Sequence, residues 1–247
     1  MRLILISLAI AGVLTGCVTS QQLEQMSVDQ FAKMRAEVPL SKDAGDRAFV
    51  NCISSAIVAE LEAPYSGYGW DVEVFADEAV NAFAMPGGKI GVYDGIFKTA
   101  TNQNELAAVI GHEVAHVTLT HSLERAQREQ TKQFGVLGAQ VLGVPDVFTE
   151  SAVILTDYVV LLPYGRGQES AADLVGLTYM ARAGFDPSAA VKLWQNMAAN
   201  SSGAPPEWMS THPSSDSRIS TLRAEQARVT PIYEAARANG KRPNCRR

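Results

Sequence analysis

The sequence predicts a predominantly helical α+β fold with a small β-sheet, and three observations predict it. Asn102 and Glu105 have capping-box spacing ahead of an apolar stripe, Leu106, Ile110, Val114 and Val117, so one helix is expected from Asn102 to about Gln130. A second segment of helical composition, Gln168 to Gly176, follows the turn-forming Pro163-Tyr164-Gly165-Arg166-Gly167. Upstream of both, Val72 to Ala76 and the stretch from Asn81 have β-type composition, and Met85-Pro86-Gly87-Gly88 supplies a turn.

From the N-terminus, Arg2 precedes an apolar run, Leu3 to Leu14, that ends in Leu14-Thr15-Gly16-Cys17. The run is too short for a spanning helix and stops at a small-residue cleavage site before a cysteine, so residues 1–16 read as a lipoprotein signal and Cys17 as the lipidated residue. Val18, not aspartate, follows, and by resemblance to bacterial lipoprotein sorting this implies anchoring in the outer membrane, facing the periplasm. Residues 17–40 read as a tether and 41–247 as one domain. Of the three cysteines, Cys52, on an expected early helix, and Cys245, in the tail, are left in an oxidising compartment and are expected to pair.

The apolar stretch Phe134 to Leu162 carries Pro145, Asp146, Glu150 and Asp157, which predicts a helical pair and not a membrane span. Its Gly135, Gly138 and Gly143 would permit motion over a cleft. The composition, 47% hydrophobic and 19% charged over 247 residues, suits one globular unit with a sizeable core. A net charge of −5 argues against nucleic acid as a partner.

The chemistry is concentrated in His112-Glu113-Val114-Ala115-His116. On a helix, positions i and i+4 share a face, so His112 and His116 can grip one metal ion with Glu113 beside its open position. A zinc ion with three protein ligands keeps a fourth position for water and lowers that water's pKa to about 7; Glu113 would take the proton as general base. The same string also arises by chance in ordinary helices, so a third ligand is required. A metzincin would place a histidine six residues after His116, where this chain has Ser122, and that class is excluded. The other solution is a glutamate on a later helix, with an aspartate one turn on to accept the free ring N–H of a ligand histidine. Glu169 and Asp173 fit it, although alone they would read as a solvent-facing acidic pair.

Four blocks together resemble one family. They are Asn81 to Tyr93, the Val109-Ile110-Gly111 lead-in with His112 to His116, Glu169 to Asp173, and Thr211-His212-Pro213-Ser214-Ser215-Asp216-Ser217-Arg218. In order, over roughly residues 40 to 228, they are similar to the zinc metallopeptidase family that includes LoiP, BepA, HtpX and the CAAX prenyl proteases, peptidase family M48. The resemblance implies a gluzincin-type domain with one Zn2+ held by His112, His116 and Glu169, and Asp173 behind them. It also implies that His212 and Arg218 donate to the oxygen that gains charge in the transition state. Without it, His212 would cap a loop and Arg218 would pair with Asp216 or Glu225. His121, five residues after His116, points off the ligand face, which favours a structural or helix-end role. Ala171 stands where many members carry a second glutamate. By the same resemblance Asn81, Ala82, Phe83 and Ala84 form an edge strand that binds extended substrate as an added strand; the alternative is a hairpin that only covers the active helix.

The expectation is therefore a zinc metalloendopeptidase, lipid-anchored to the membrane, that hydrolyses misfolded or misassembled envelope proteins, with outer-membrane assembly machinery as a further partner class. The alternatives are an assembly chaperone or adaptor using the same cleft with little turnover, and a structural envelope lipoprotein.

Overall fold

Strands β1 (Asp71–Phe75), β2 (Ala82–Met85) and β3 (Lys89–Tyr93) form one sheet in the order β1-β3-β2. They belong to a computed structural model that describes residues 17–141, 164–199, 207–212 and 216–247. β3 runs antiparallel to β2 and parallel to β1. The hairpin turns through Pro86, Gly87 and Gly88, where the two glycines have φ of 80° and 75°, a region that penalises any residue with a Cβ.

Period-two alternation divides the strand side chains between two cores. Val74, Ala82, Ala84, Ile90 and Val92 face α2 (Ala44–Val58) and α3 (Gln103–Thr118) in the main core. Phe75, Phe83, Met85 and Tyr93 face the other way, against Phe31 and Met34 of α1 (Ser20–Glu37). Phe31 meets Phe75 and Phe83 edge-on at 6.1 and 6.4 Å, a favoured aromatic geometry. Most of the segment read as a tether is thus a capped helix seated on the sheet. Leu23, Ser27 and Phe31 recur every four residues and give α1 one buried face. Val18 also packs on Ala126, and its backbone N–H donates to Gln130 Oε1 at 2.8 Å.

The helix expected from Asn102 to about Gln130 is two helices. Asn102 caps α3 by accepting from the N–H groups of Asn104 and Glu105. The chain breaks after Thr118 and resumes as α4 (His121–Val141). Neither glycine nor proline marks the break; Thr120 makes it at φ 56°, costly for a β-branched residue. What offsets the cost is tertiary contact: the turn brings His121 Nδ1 to 2.9 Å from His116 Nδ1 and Ser122 Oγ to 3.3 Å from the Tyr164 hydroxyl.

α5 (Arg166–Arg182) crosses α3 where Gly111 and Gly176 meet. A Cβ on Gly111 would lie 2.8 Å from the Gly176 carbonyl oxygen, and one on Gly176 would lie 2.7 Å from the Gly111 carbonyl carbon. Only glycine at both places lets the backbones touch. α6 (Ala189–Ala199), α7 (Glu207–Thr211) and α8 (Asp216–Ala238) complete the described helices.

Cys52 and Cys245 form the expected disulfide, joining α2 to the tail across 193 residues. Arg247 adds an ion pair with Asp46 and lies over the Phe97 ring. Cys17 is a free, exposed thiol. The expected signal, residues 1–16, lies outside the described residues, as does most of the helical pair expected over Phe134 to Leu162; residues 134–141 belong to α4. Among the described residues no helix is long and apolar enough to cross a membrane.

Candidate metal centre and cleft

Every residue of α3 from Glu105 to Val117 is buried, so the helix has no solvent face. Its apolar stripe enters the core, and the opposite side carries His112, Glu113 and His116 toward α5 and α7.

Four ligand atoms converge there, from His112, His116, Glu169 and His212, all within 4.8 Å of one another and all buried. His112 Nε2 lies 3.0 Å from His116 Nε2 and 3.2 Å from His212 Nδ1. Glu169 Oε1 lies 3.4 Å from His116 Nε2 and 3.0 Å from His212 Nδ1, and its Oε2 lies 3.5 Å from His112 Nε2. Donors around a tetrahedral zinc with bonds of about 2.0–2.1 Å sit roughly 3.3 Å apart, so the spacing fits such an ion. A second observation agrees: Glu169 Oε2 is buried yet makes no well-aligned hydrogen bond among the described residues, although Arg218 Nη1 is 2.6 Å away. An acceptor left in that state is what a cation would satisfy.

The donors are braced from behind. Asp173, one turn after Glu169, places Oδ1 3.1 Å from His112 Nδ1. Arg218 grips Asp173 through Nε and Nη2, both at 2.7 Å. His121 Nδ1 contacts His116 Nδ1, and Tyr164 stacks on the His116 ring at 3.7 Å. Hence the outer nitrogen of each helix histidine has a polar neighbour behind it, although the His112 Nδ1 contact with Asp173 is not aligned as a hydrogen bond.

The electrostatics follow. Burial disfavours a charged His112, but its bonds to Asp173 and Glu169 outweigh burial and hold its pKa up at about 9. Burial pushes His116 well below the usual histidine range, with Glu169 opposing and the neighbouring His112 and His212 adding to the fall. Burial would raise Glu169, yet hydrogen bonds from His112, His116 and His212 hold it well below the carboxylate range. Asp173 is likewise lowered: burial opposes, and Arg218 and His112 prevail. Two carboxylates are thus kept ionised beside the imidazoles.

Glu113 lies to one side of the donor set. Its Oε1 accepts from the Trp208 indole N–H at 2.6 Å and lies 3.3 Å from His212 Nε2. The adjoining cleft, about 230 Å³, is lined by Asn81 to Pro86, Tyr93, Glu113, Ser122, Arg125, Tyr164, Thr211 and His212. Its far wall is α1, through Leu23, Ser27, Gln30 and Met34. Among the described residues β2 has β3 on one side only. Since the Tyr93 N–H bonds to the Asn81 carbonyl, the alternation of an antiparallel pair turns the backbone groups of Ala82 and Ala84 to the free edge.

The structure thus brings His112, His116, Glu169, Asp173, Glu113 and His212 together and puts Asn81 to Ala84 on the cleft. Two placements differ in emphasis from the sequence reading. His212 offers Nδ1 to the donor set, and the Arg218 guanidinium, 3% exposed, is engaged by Asp173 and Glu169. Trp208, Tyr164 and the α1 wall carry no local motif that sequence reasoning could use. The one available signal was that Trp208 and His212 are four apart and so share a helix face.

Comparison with known proteins agrees with this geometry. The sequence model of peptidase family M48 matches residues 46–226, which include the whole donor set and Glu113. The chain is 39% identical over 153 residues to the mitochondrial metalloendopeptidase OMA1 of Schizosaccharomyces pombe, covering 61% of this chain and 44% of that protein. It is 30% identical over 224 residues to the beta-barrel assembly-enhancing protease of Yersinia pestis, covering 84% and 45%. With human OMA1 it shares 31% over 194 residues, covering 73% and 37%. The chain therefore spans less than half the length of each of these relatives.

Proposed function

The chain belongs to peptidase family M48 and carries a metal-binding peptidase centre, and from that premise we propose a zinc-dependent endopeptidase that cuts unfolded or misassembled envelope proteins. The observation that carries this reading is Glu113 held at the edge of a buried set of four metal donors.

Zinc on His112, His116 and Glu169 would polarise the scissile carbonyl and lower the pKa of a water. Glu113 is the general base: it takes the proton of the attacking water on Oε2 and returns it to the leaving amine. Asp173 and His121 hold the two helix histidines in orientation. Arg218 keeps Asp173 ionised and holds both acidic side chains of α5 in place. His212 stands where the fourth donor would be, so it gives way when substrate enters and then serves as a donor to the carbonyl oxygen that gains charge. Substrate lies extended along β2, paired with the Ala82 and Ala84 backbone, a mode that reads chain conformation more than sequence.

For location, Leu14-Thr15-Gly16-Cys17 supports a lipid anchor on Cys17 in the outer membrane, facing the periplasm. The name of the Yersinia relative supports beta-barrel assembly as the setting and its machinery as a partner. A second reading, a chaperone or adaptor that holds chain with little turnover, is favoured by one observation: His212 completes the donor set without a water.

The test is cleavage of an unfolded model protein by the form starting after Cys17, with zinc supplied, beside Glu113→Gln. The variant should keep its metal and lose about 10²–10⁴-fold in rate. Equal cleavage by both would sink the role of Glu113. Metal binding by both with no cleavage would put the chaperone reading first.

A further inference from the structure

We infer that Trp208 is a positioning residue for Glu113, its indole N–H fixing one carboxylate oxygen so that the other stays presented to the cleft. The inference rests on the peptidase reading above and adds to it a residue that the metal-ligand pattern does not contain.

Glu113 is 3% exposed and Trp208 is 1% exposed, so neither can exchange this contact for water. A carboxylate in such a place needs a donor, because leaving it unpaired is costly. The indole N–H is a donor and nothing else, so it can only hold Glu113 through an oxygen with a free lone pair. At 2.6 Å the contact is close, somewhat inside the roughly 2.7–2.9 Å of a charge-assisted N–H···O bond. Oε2, by contrast, has no partner among the described residues.

His212 Nε2 also lies 3.3 Å from the same Oε1, and the same imidazole is tied through Nδ1 to Glu169. A residue that changes partners during turnover cannot keep the base oriented. Trp208 can, because it is fixed on several sides. Its backbone N–H donates to the Val80 carbonyl at 3.1 Å, and its carbonyl accepts from the His212 N–H at 2.8 Å. Its ring lies 5.1 Å from the Trp194 ring, which carries the Arg218 guanidinium at 4.1 Å on a face. Arg218, Trp194 and Trp208 thus form a stack that links the brace behind the ligands to the base in front of them.

The experiment compares the zinc-loaded full chain with Trp208→Phe, which keeps an aromatic ring and removes the donor together with part of the indole's volume. The expected result is a fall in kcat of about tenfold, a part of what a general base contributes, with KM within about twofold, zinc content unchanged and the unfolding midpoint lowered only as the smaller ring requires. A second readout is independent of turnover: in ¹⁵N-indole NMR, the cross-peak lost in Trp208→Phe should move upfield in Glu113→Gln, where the acceptor is neutral. Wild-type kcat in Trp208→Phe, or a cross-peak that ignores Glu113→Gln, would overturn this inference alone. A loss of rate matched by a loss of zinc would also overturn it, because the role would then be structural. Absence of cleavage by the unsubstituted protein would instead remove the peptidase reading and this inference with it.

Discussion

Behind the donors, α3 and α5 touch backbone to backbone at Gly111 and Gly176, and Asp173, Arg218 and His121 brace the rings. In front of them, α7 is five residues long and is joined to its surroundings by the Trp208 N–H on Val80 and the Thr211 carbonyl under the Tyr164 N–H. The rear holds groups that must never move, since a ligand displaced by a fraction of an ångström loses its ion. The front holds Trp208, fixed against Glu113, and beside it His212, the one group that the proposed mechanism requires to change partners. Rigidity and adjustability are thus assigned to different residues, and the four predictions that follow test that division.

The largest effect is expected at the rear. Arg218→Ala leaves Asp173 and Glu169 buried without their cation and should cost about 3–5 kcal/mol in chelator-treated protein. Zinc supplies positive charge at the same place, so denaturant unfolding should show a clearly smaller loss in metal-loaded protein. An equal loss in both would mean that the arginine supports packing and not charge.

Gly176→Ala should cost about 3 kcal/mol, because its Cβ would meet backbone atoms of α3 that cannot turn aside. Thermal unfolding that shows little change would mean the two helices can slide, and the contrast with α7 would weaken.

Asp173→Asn should leave the fold intact and weaken zinc binding by about 10–100-fold, since it removes the charged partner of His112 Nδ1. Competition with a metal chelator measures it, and unchanged affinity would show that the ring needs no such support.

The smallest effect belongs to Thr120→Asn. Asparagine tolerates positive φ better, so stability should rise by up to about 1 kcal/mol with zinc affinity unchanged. A fall in unfolding midpoint would show that the threonine side chain, and not only the turn, keeps His121 on His116.

The same division decides what could be read from sequence. His112, Glu113 and His116 share one helix, as do Glu169 and Asp173, so helical spacing alone predicts that each set faces one way. The β2–β3 turn was legible because Gly87 and Gly88 state their backbone requirement in their identity. The break at Thr120 was not, since a β-branched residue in a positive-φ turn is held there by distant side chains. The parallel pairing of β1 with β3 is likewise set by the path of the whole chain. α1 reads as a lead-in because its buried face shows as a four-residue recurrence only when Ser27 is counted with Leu23 and Phe31. Trp208 is a single aromatic whose meaning depends on the Glu113 oxygen, 95 residues away in sequence.

The edge of β2 that lines the cleft is short. Four residues rising about 3.3 Å each offer roughly 13 Å of template, and only Ala82 and Ala84 turn their hydrogen-bonding groups outward. If substrate pairs with β2 as proposed, a folded protein would have to open a stretch of that length before it could be threaded between β2 and α1, and the free energy of that opening would be subtracted from its binding. The edge would then act as a gauge of local stability: two clients of identical sequence at the cleavage point would be cut at rates set by how often each one frays.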